Sequence, residues 1–177
     1  MAQRELLARL EVAGSGEARV GTGVSVLDHL VGVLARYASF DLTLEVAPAE
    51  AGEEVAAAGR ALGEALRSPL RASGARGHGT AALPEGEALA SVSLDVSEQP
   101  VVVSNVDLSS VHVAGLQTDL VAAFLEELVE GAGLTVHMRL VEGSDEQHVL
   151  DAIFKALGAA LEQACEKRSR PRRRKKT

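Results

Sequence analysis

The sequence predicts an α+β fold in which one unit, strands followed by two helices, occurs twice. Apolar stripes at helical spacing, period-two alternation in other segments, and an internal duplication predict it. LTLEV at 42–46 followed by GEEVAAAGRALGEAL at 52–66 resembles LTVHM at 134–138 followed by QHVLDAIFKALGAAL at 147–161. Such self-similarity is typical of a duplicated supersecondary unit. We therefore predict two sheet-and-helix halves related by a pseudo-twofold, with amphipathic helices covering one face of each sheet.

The individual elements follow from periodicity and from turn residues. The predicted helices span 27–37, 53–67, 118–130 and 145–167. The predicted strands are LLARLEVAG, SFDLTLEVAP, ALASVSLDVS, PVVVSNVDL and LTVHMRLVE. Clusters of Gly and Pro at 13–16, 72–79 and 84–86 indicate turns. The stretch GSGEARVGTG lacks the Lys and Ser/Thr of a phosphate loop, so it indicates a hairpin turn.

Charge is distributed unevenly along the chain. The 177 residues have a formal charge of -7, but residues 167–177 hold 8 of the 18 Lys and Arg and no acid. We predict a duplicated domain over 1–166, with halves of about 1–86 and 87–166, followed by a basic disordered tail at 167–177. The tail is a candidate for weak contact with nucleic acid or with an acidic surface.

The remaining composition excludes several classes of protein. The single Cys165 excludes an internal disulfide, and the absence of Trp makes aromatic base stacking unexpected. No apolar run approaches the roughly 18 residues of a membrane span. The start MAQRELLARL lacks the layout of a signal peptide. We therefore expect a cytoplasmic protein without a membrane partner.

The order of these segments resembles the imidazoleglycerol-phosphate dehydratase family of histidine biosynthesis, over about residues 5–166. The matching stretches are GTGVSVLDHL for the family's TG-x-x-FFDHM, GEALASVSLDVSEQP for DEA-x-x-x-x-x-DLSGRP, VAGLQTDLVAAF for GGF-x-TELVEHF, and AGLTVHMRLVEGSDEQHVLDAIFKAL for GLTLHIRLLAG-x-NAHHIIEA-x-FKAL. The resemblance implies halves that are ribosomal protein S5 domain 2-like, with helices packed between the sheets. It also implies two Mn²⁺ ions at subunit boundaries and a trimer-based homo-oligomer that closes into a 24-subunit shell.

The metal ligands that the resemblance implies are only partly present. Each repeat of the family carries an HHxxE helix. The aligned positions hold Gly52, Glu53 and Ala56 in the first repeat and Gln147, His148 and Asp151 in the second. His29 of LDHL stands where the family has a ligand His. If a metal is retained, the resemblance implies His29, His148 and Asp151 as its ligands; the alternative for His29 is a hydrogen-bonded structural histidine.

The phosphate-binding charges are also only partly present. The Arg of SGRP is Gln99 here, and the Arg of the family's R-F-G turn aligns with Gly77, next to Arg76. Lys155 matches the Lys of the F-K-A-L helix. We therefore predict Lys155 and Arg76 as the phosphate-binding residues, the alternative for Lys155 being a solvated lysine.

These losses lead to a prediction about function and an alternative. We predict a divergent family member that has lost Mn²⁺-dependent dehydration, holds no cofactor, and serves as a non-catalytic oligomeric or binding protein. Without metal links it would keep the trimer but not close the shell. The alternative is an active dehydratase, a hydro-lyase with Mn²⁺ as cofactor. Its reduced site would comprise His29, Glu53, His148, Asp151 and Lys155, with Glu53, His148 and Asp151 catalytic.

Overall fold

Four amphipathic helices form where the apolar stripes predict them. In the computed structural model of the protein, residues 6–107, 112–113 and 116–169 are described. The helices are α1 (Ser25–Ala38), α2 (Ala51–Leu70), α3 (Thr118–Ala132) and α4 (Glu146–Cys165). The Asp145 side chain caps α4 by accepting a hydrogen bond from the His148 N–H. The chain leaves α3 through Gly133, whose φ of 69° favours glycine.

Strands form two main sheets. The strands are β1 (Leu7–Glu11), β2 (Ala18–Gly21), β3 (Asp41–Glu45), β4 (His78–Glu85), β5 (Ala88–Val96), β6 (Val101–Ser104), β7 (His112–Val113), β8 (Leu116–Gln117) and β9 (Leu134–Glu142). The first sheet has the order β1-β3-β2 and the second has the order β4-β5-β9-β6. The short strands β7 and β8 pair with each other.

Both sheets repeat one connection pattern. In the first sheet β3 pairs with β1 antiparallel and with β2 parallel. In the second sheet β9 pairs in the same way with β5 and β6. The predicted α+β fold is confirmed, and the second sheet differs by the additional edge strand β4. The division near residue 86 stays a prediction; β4 and β5, on either side of it, form one hairpin.

Two strands lie where the sequence analysis predicts turns, so those turn predictions are wrong in part. Strand β2 lies within GSGEARVGTG, and its hydrogen bonds come from the parallel pairing with β3 rather than from a neighbour in sequence. Strand β4 begins inside the predicted turn at 72–79 and ends inside the one at 84–86. Four-residue strands and strands that contain Gly and Pro carry too little periodicity to be recognised locally.

The four helices lie between the two main sheets, and each pairs with a helix of the other repeat. Helices α1 and α2 pack against the first sheet, while α3 and α4 pack against the second. Across the middle, α1 packs on α4 and α2 packs on α3. The stacked rings of Phe124 and Phe154, with centroids 6.1 Å apart, lie in the common core. No helix in the described ranges combines the length and apolarity that crossing a membrane requires.

Glycines allow the paired helices to approach closely. A Cβ at Gly59 or Gly63 would lie 2.5 Å from a carbonyl oxygen of α3, and a Cβ at Gly158 would collide with the Leu34 carbonyl of α1. These glycines are therefore packing residues, and their cost in helix propensity is offset by contact between backbones.

Gly158→Ala tests this close packing. Alanine improves helix propensity by about 1 kcal/mol, but overpacking costs about 1–3 kcal/mol because α1 and α4 must separate. We expect a lower free energy of unfolding in urea titrations.

Gly32→Ala is the matched control, because a Cβ there meets nothing within 4 Å. This variant should gain about 0.5–1 kcal/mol. Equal stabilisation of both variants would contradict the packing role of Gly158.

Candidate functional site

A row of charged side chains lies along one face of α4. His148, Asp151 and Lys155 are spaced three and four residues apart, so they lie one above another on the helix surface. Each contacts an acidic or basic side chain from another element, either α1 or the β4–β5 hairpin. We call these three residues with their partners His29, Glu85 and Glu87 the α4 cluster. The fold therefore assembles the cluster from both repeats.

His29 of α1 is paired with Asp151 of α4. The distance from His29 Nε2 to Asp151 Oδ1 is 2.9 Å, and the same oxygen accepts from the Gln147 amide at 3.0 Å. Because an ionised carboxylate only accepts, we assign the His29 proton to Nε2. The His29 side chain is 54% exposed whereas that of Asp151 is 15% exposed. The mostly buried carboxylate of Asp151 thus fixes the orientation of the His29 imidazole, which is exposed to solvent.

The start of α1 is held by the residue next to His29. Asp28 Oδ1 accepts the Thr22 N–H at 2.9 Å and the Thr22 hydroxyl at 2.5 Å. Thr22 is fully buried. Because successive helix residues point about 100° apart, Asp28 holds the preceding loop while His29 faces α4. Asp28 thereby helps to set the position of the histidine.

Glu87 and His148 form the second histidine–carboxylate pair. His148 Nδ1 lies 2.5 Å from Glu87 Oε2, while Glu87 Oε1 accepts the N–H groups of Ser144 and Asp145 at 3.2 and 2.7 Å. The Asp145 N–H and the His148 ring together lower the pKa of Glu87 to about 2. In return, the hydrogen bond that His148 donates to Glu87 raises the pKa of His148. His148 therefore holds its proton to a higher pH than a free histidine.

Lys155 forms the third pair of the cluster. Its Nζ makes an ion pair with Glu85, donates to the Pro84 carbonyl at 3.2 Å, and lies 5.2 Å from the centre of the Tyr37 ring. The Glu85 carboxylate raises the pKa of Lys155. Lys155 in turn lowers the pKa of Glu85, with smaller contributions from the charges of His148 and His29. The three pairs therefore act on one another electrostatically.

The structure does not bring every predicted site residue to the α4 cluster. Glu53 lies in the first turn of α2, and in the described part of the chain no hydrogen bond or ion pair joins its side chain to the cluster. Arg76 lies beyond α2 and pairs with Glu166 at 3.8 Å. Glu166 is eleven residues from Lys155, or about 16 Å along the helix axis. Within one chain, His29, His148, Asp151 and Lys155 are together.

The sequence analysis missed three residues of this region: Tyr37, Glu85 and Glu87. The two glutamates flank Gly86 at the tip of the β4–β5 hairpin, and Gly86 has a φ of 53°. Residues two apart in a strand point to the same face, so the spacing of Glu85 and Glu87 indicates that their side chains lie together. Nothing local in the stretch GEALA indicates that the hairpin tip reaches α4.

Within one chain, the described residues do not form a complete site for the manganese ions that the resemblance implies. Metal ligands must be deprotonated and must direct several donor atoms at one point. Among residues 6–107, 112–113 and 116–169, no group of three or more His, Cys, Asp or Glu is arranged to hold a metal ion. Asp151 faces one ring nitrogen of His29 and Glu87 faces one of His148, which is how carboxylates orient metal-bound histidines, so the second ring nitrogen of each histidine stays available as a donor.

The basic tail begins beside Arg76. Lys167 forms an antiparallel bridge with Ala75, and the Arg168 N–H donates to the Gly74 carbonyl at 2.7 Å. Residues 170–177 lie outside the described residues. Contact of the tail with nucleic acid or an acidic surface therefore stays a prediction.

The Glu87–His148 pair should make stability depend on pH in a defined window. Glu87 has a lowered pKa, so its contribution is present above 4.5 and is lost as the pH falls toward 2. His148 has a raised pKa, so its contribution is present below 6.5 and is lost as the pH rises through the higher folded value. The stability that Glu87→Gln removes should be largest between these limits, as measured by urea unfolding.

Glu45→Gln is the control, because it removes an exposed carboxylate from the other sheet. A Glu87→Gln variant whose stability follows the wild type at every pH would show that the pair contributes nothing.

The profile of the family described as imidazoleglycerol-phosphate dehydratase matches residues 22–161. The imidazoleglycerol-phosphate dehydratase of Syntrophobacter fumaroxidans is 39% identical over 166 residues, covering 92% of this chain and 84% of the relative. The dehydratase of Clostridium botulinum (strain Kyoto / Type A2) is 32% identical over 169 residues, covering 93% of this chain and 86% of the relative.

Solved structures agree with these relatives. Imidazoleglycerol-phosphate dehydratase from Staphylococcus aureus subsp. aureus N315 superimposes with a TM-score of 0.84 at 27% identity, covering 95% of this chain and 97% of that chain. The enzyme from Pyrococcus furiosus in complex with (S)-C348 superimposes with a TM-score of 0.80 at 27% identity, covering 96% of this chain and 94% of that chain.

The comparisons correct the predicted function. The prediction of a non-catalytic protein that has lost dehydration is wrong, because relatives at 32 and 39% identity over most of the chain are named as the dehydratase. They favour the alternative, an active enzyme of the hydro-lyase type. The predicted family is confirmed, since its profile spans residues 22–161. The chain belongs to the imidazoleglycerol-phosphate dehydratase family.

Proposed function

We propose that this protein catalyses the loss of water from imidazole glycerol phosphate. The observation that carries the proposal is the pair of histidine–carboxylate contacts, His29–Asp151 and His148–Glu87, on one side of α4 in a chain of this family. Dehydration needs one group that removes a proton from carbon and a second that protonates the departing hydroxyl. Two histidines with different environments supply one of each.

His29 is the proposed base. With its Nε2–H donated to Asp151, the ring keeps a lone pair on Nδ1, which is the arrangement by which a carboxylate orients a catalytic imidazole. More than half of the His29 side chain is exposed, so a substrate can reach it. Asp151 acts as a positioning residue, because it selects the tautomer and stabilises the imidazolium that forms.

His148 is the proposed acid. Its Nδ1 is bonded to Glu87, which leaves Nε2–H directed away from that carboxylate and available to the substrate. The raised pKa keeps the ring protonated at higher pH than usual. A protonated histidine can give its proton to a hydroxyl group and become neutral. Glu87 is therefore a second positioning residue.

The two roles balance the reaction. His29 accepts the proton of a C–H bond of the glycerol chain, and the electrons of that bond form a carbon–carbon double bond. The adjacent C–O bond breaks, and the hydroxyl leaves as water with the proton that His148 supplies. The protein returns to its starting state when the proton on His29 is transferred to His148 through solvent.

Lys155 is the proposed partner of the substrate phosphate. It belongs to the α4 cluster and is a cation, whereas Arg76 is bound to the opposite end of α4. Phosphate would have to compete with Glu85 for the ammonium group. We therefore assign this role to Lys155 and none to Arg76 in the same chain.

Turnover of imidazole glycerol phosphate by the full-length protein tests the function. We expect His29→Gln and His148→Gln each to lower kcat by about 100- to 10,000-fold, the range for loss of a general acid or base. His137→Gln is the matched control, because His137 is exposed on β9, outside the α4 cluster. The absence of turnover in the wild type, or an equal loss in all three variants, would refute the assignment.

Glu87→Gln should also change the pH profile of kcat. Activity falls at high pH as His148 loses its proton, and removing the carboxylate removes the main cause of its raised pKa. The high-pH limb should therefore move to lower pH in Glu87→Gln. An unchanged limb with a lower kcat would leave Glu87 with a purely structural role.

We also propose that the protein is a trimer-based homo-oligomer. Val101 and Val103 are 46% and 45% exposed on the edge strand β6, and a second copy is the apolar partner that would cover them. Light scattering should give at least three times the chain mass. Val103→Asp should reduce that mass, whereas Leu6→Asp, at an exposed position before the first sheet, should not. A monomeric wild type would contradict this proposal.

A further inference from the structure

Lys155 already binds an anionic group of its own chain. Its Nζ makes an ion pair with the Glu85 carboxylate and donates to the Pro84 carbonyl oxygen at 3.2 Å. The Lys155 side chain is 17% exposed, whereas that of Glu85 is 34% exposed. An ammonium group attracts any oxyanion as a point charge, so a carboxylate and a phosphate compete for it. Glu85 therefore occupies the place that the proposed function gives to the substrate phosphate.

The rest of the Lys155 environment does not depend on Glu85. The Pro84 carbonyl belongs to the backbone of β4, and the Tyr37 ring, whose centre lies 5.2 Å from Lys155 Nζ, belongs to α1. The carbonyl accepts one of the three N–H groups of the ammonium, and the ring attracts its charge. A phosphate that replaced the Glu85 carboxylate would therefore meet a lysine that the protein already orients.

Glu85 can leave Lys155 by rotation of its own side chain. It is the last residue of β4, and the hairpin beyond it is anchored separately, because both oxygens of Glu87 are bonded, one of them to His148. Within the described part of the chain, the Glu85 side chain has no second ion pair or hydrogen bond. Its release therefore breaks one ion pair and leaves the hairpin anchored.

We infer that Glu85 is a displaceable counter-ion that lowers the affinity of the site for phosphate. In the free protein its carboxylate holds Lys155; the substrate phosphate displaces it, and it returns when the product leaves. A site whose binding-competent form is only partly populated binds every ligand more weakly by that same fraction. Glu85 thereby raises KM for the substrate and weakens product binding by one common factor. This inference rests on the proposed dehydratase function, since it takes Lys155 as the partner of the substrate phosphate.

Binding of inorganic phosphate to the full-length protein, measured by isothermal titration calorimetry, tests the inference without turnover. Glu85→Gln should tighten phosphate binding by about two- to tenfold, the range for loss of one partly exposed ion pair. Glu85→Ala, which removes the competing acceptor altogether, should tighten it at least as much. The KM for imidazole glycerol phosphate should fall by a similar factor. When Lys155→Met is already present, adding Glu85→Gln should change neither value.

Glu146→Gln is the matched control, because it removes one negative charge from an exposed position of the same helix, nine residues before Lys155. Phosphate binding that is unchanged or weaker in Glu85→Gln would overturn the inference, as would binding too weak to detect in every protein. Equal tightening in Glu146→Gln, or tightening that persists without Lys155, would also overturn it, because the effect would then be one of net charge. Tighter phosphate binding in Glu85→Gln with no turnover in any protein would refute the dehydratase function and leave Glu85 as a competitor for an anion.

Discussion

The contact between α1 and α4 is the constraint on which the candidate site depends. Gly158 has no side chain, so the backbone of α4 can pack directly on the Leu34 carbonyl of α1. Two helices in contact behave as stiff rods, so their separation at one point sets their separation a few turns away. Asp151 lies about two turns before Gly158 and His29 about one and a half turns before Leu34, where this separation allows a 2.9 Å hydrogen bond.

The α4 cluster shows how opposite charges can be concentrated on one surface at little cost. Three carboxylates alternate with two histidines and a lysine, and each carboxylate is bonded to one of these three side chains. The N–H groups before α4 add a favourable field at Glu87, as is usual for an acid near a helix start. The result is a site in which two histidines with different partners can exchange protons with a substrate, while Lys155 supplies a fixed charge.

Much of the fold was predictable because helical periodicity is a local property. Each of the four helices occurs within a few residues of its predicted span, and the repeated motif before α2 and α4 indicates the duplication. Strands β2 and β4 were missed because they are stabilised by partners distant in sequence and are bordered by Gly and Pro. The prediction of lost catalysis failed because it compared motif letters one by one, whereas similarity to the dehydratases extends over most of the chain.

The sequence by itself determined the helices, the duplication, the family and the grouping of three members of the α4 cluster, because spacing along a helix decides which side chains share a face. His148, Asp151 and Lys155 had to lie together once α4 formed. Only the tertiary structure decided what they face. Glu85 and Glu87 come from a hairpin tip, and His29 comes from the other repeat, so their approach depends on how sheets and helices pack. Packing between distant segments therefore decides which of these residues form bonded pairs. It also places Glu53 and Arg76 outside the α4 cluster.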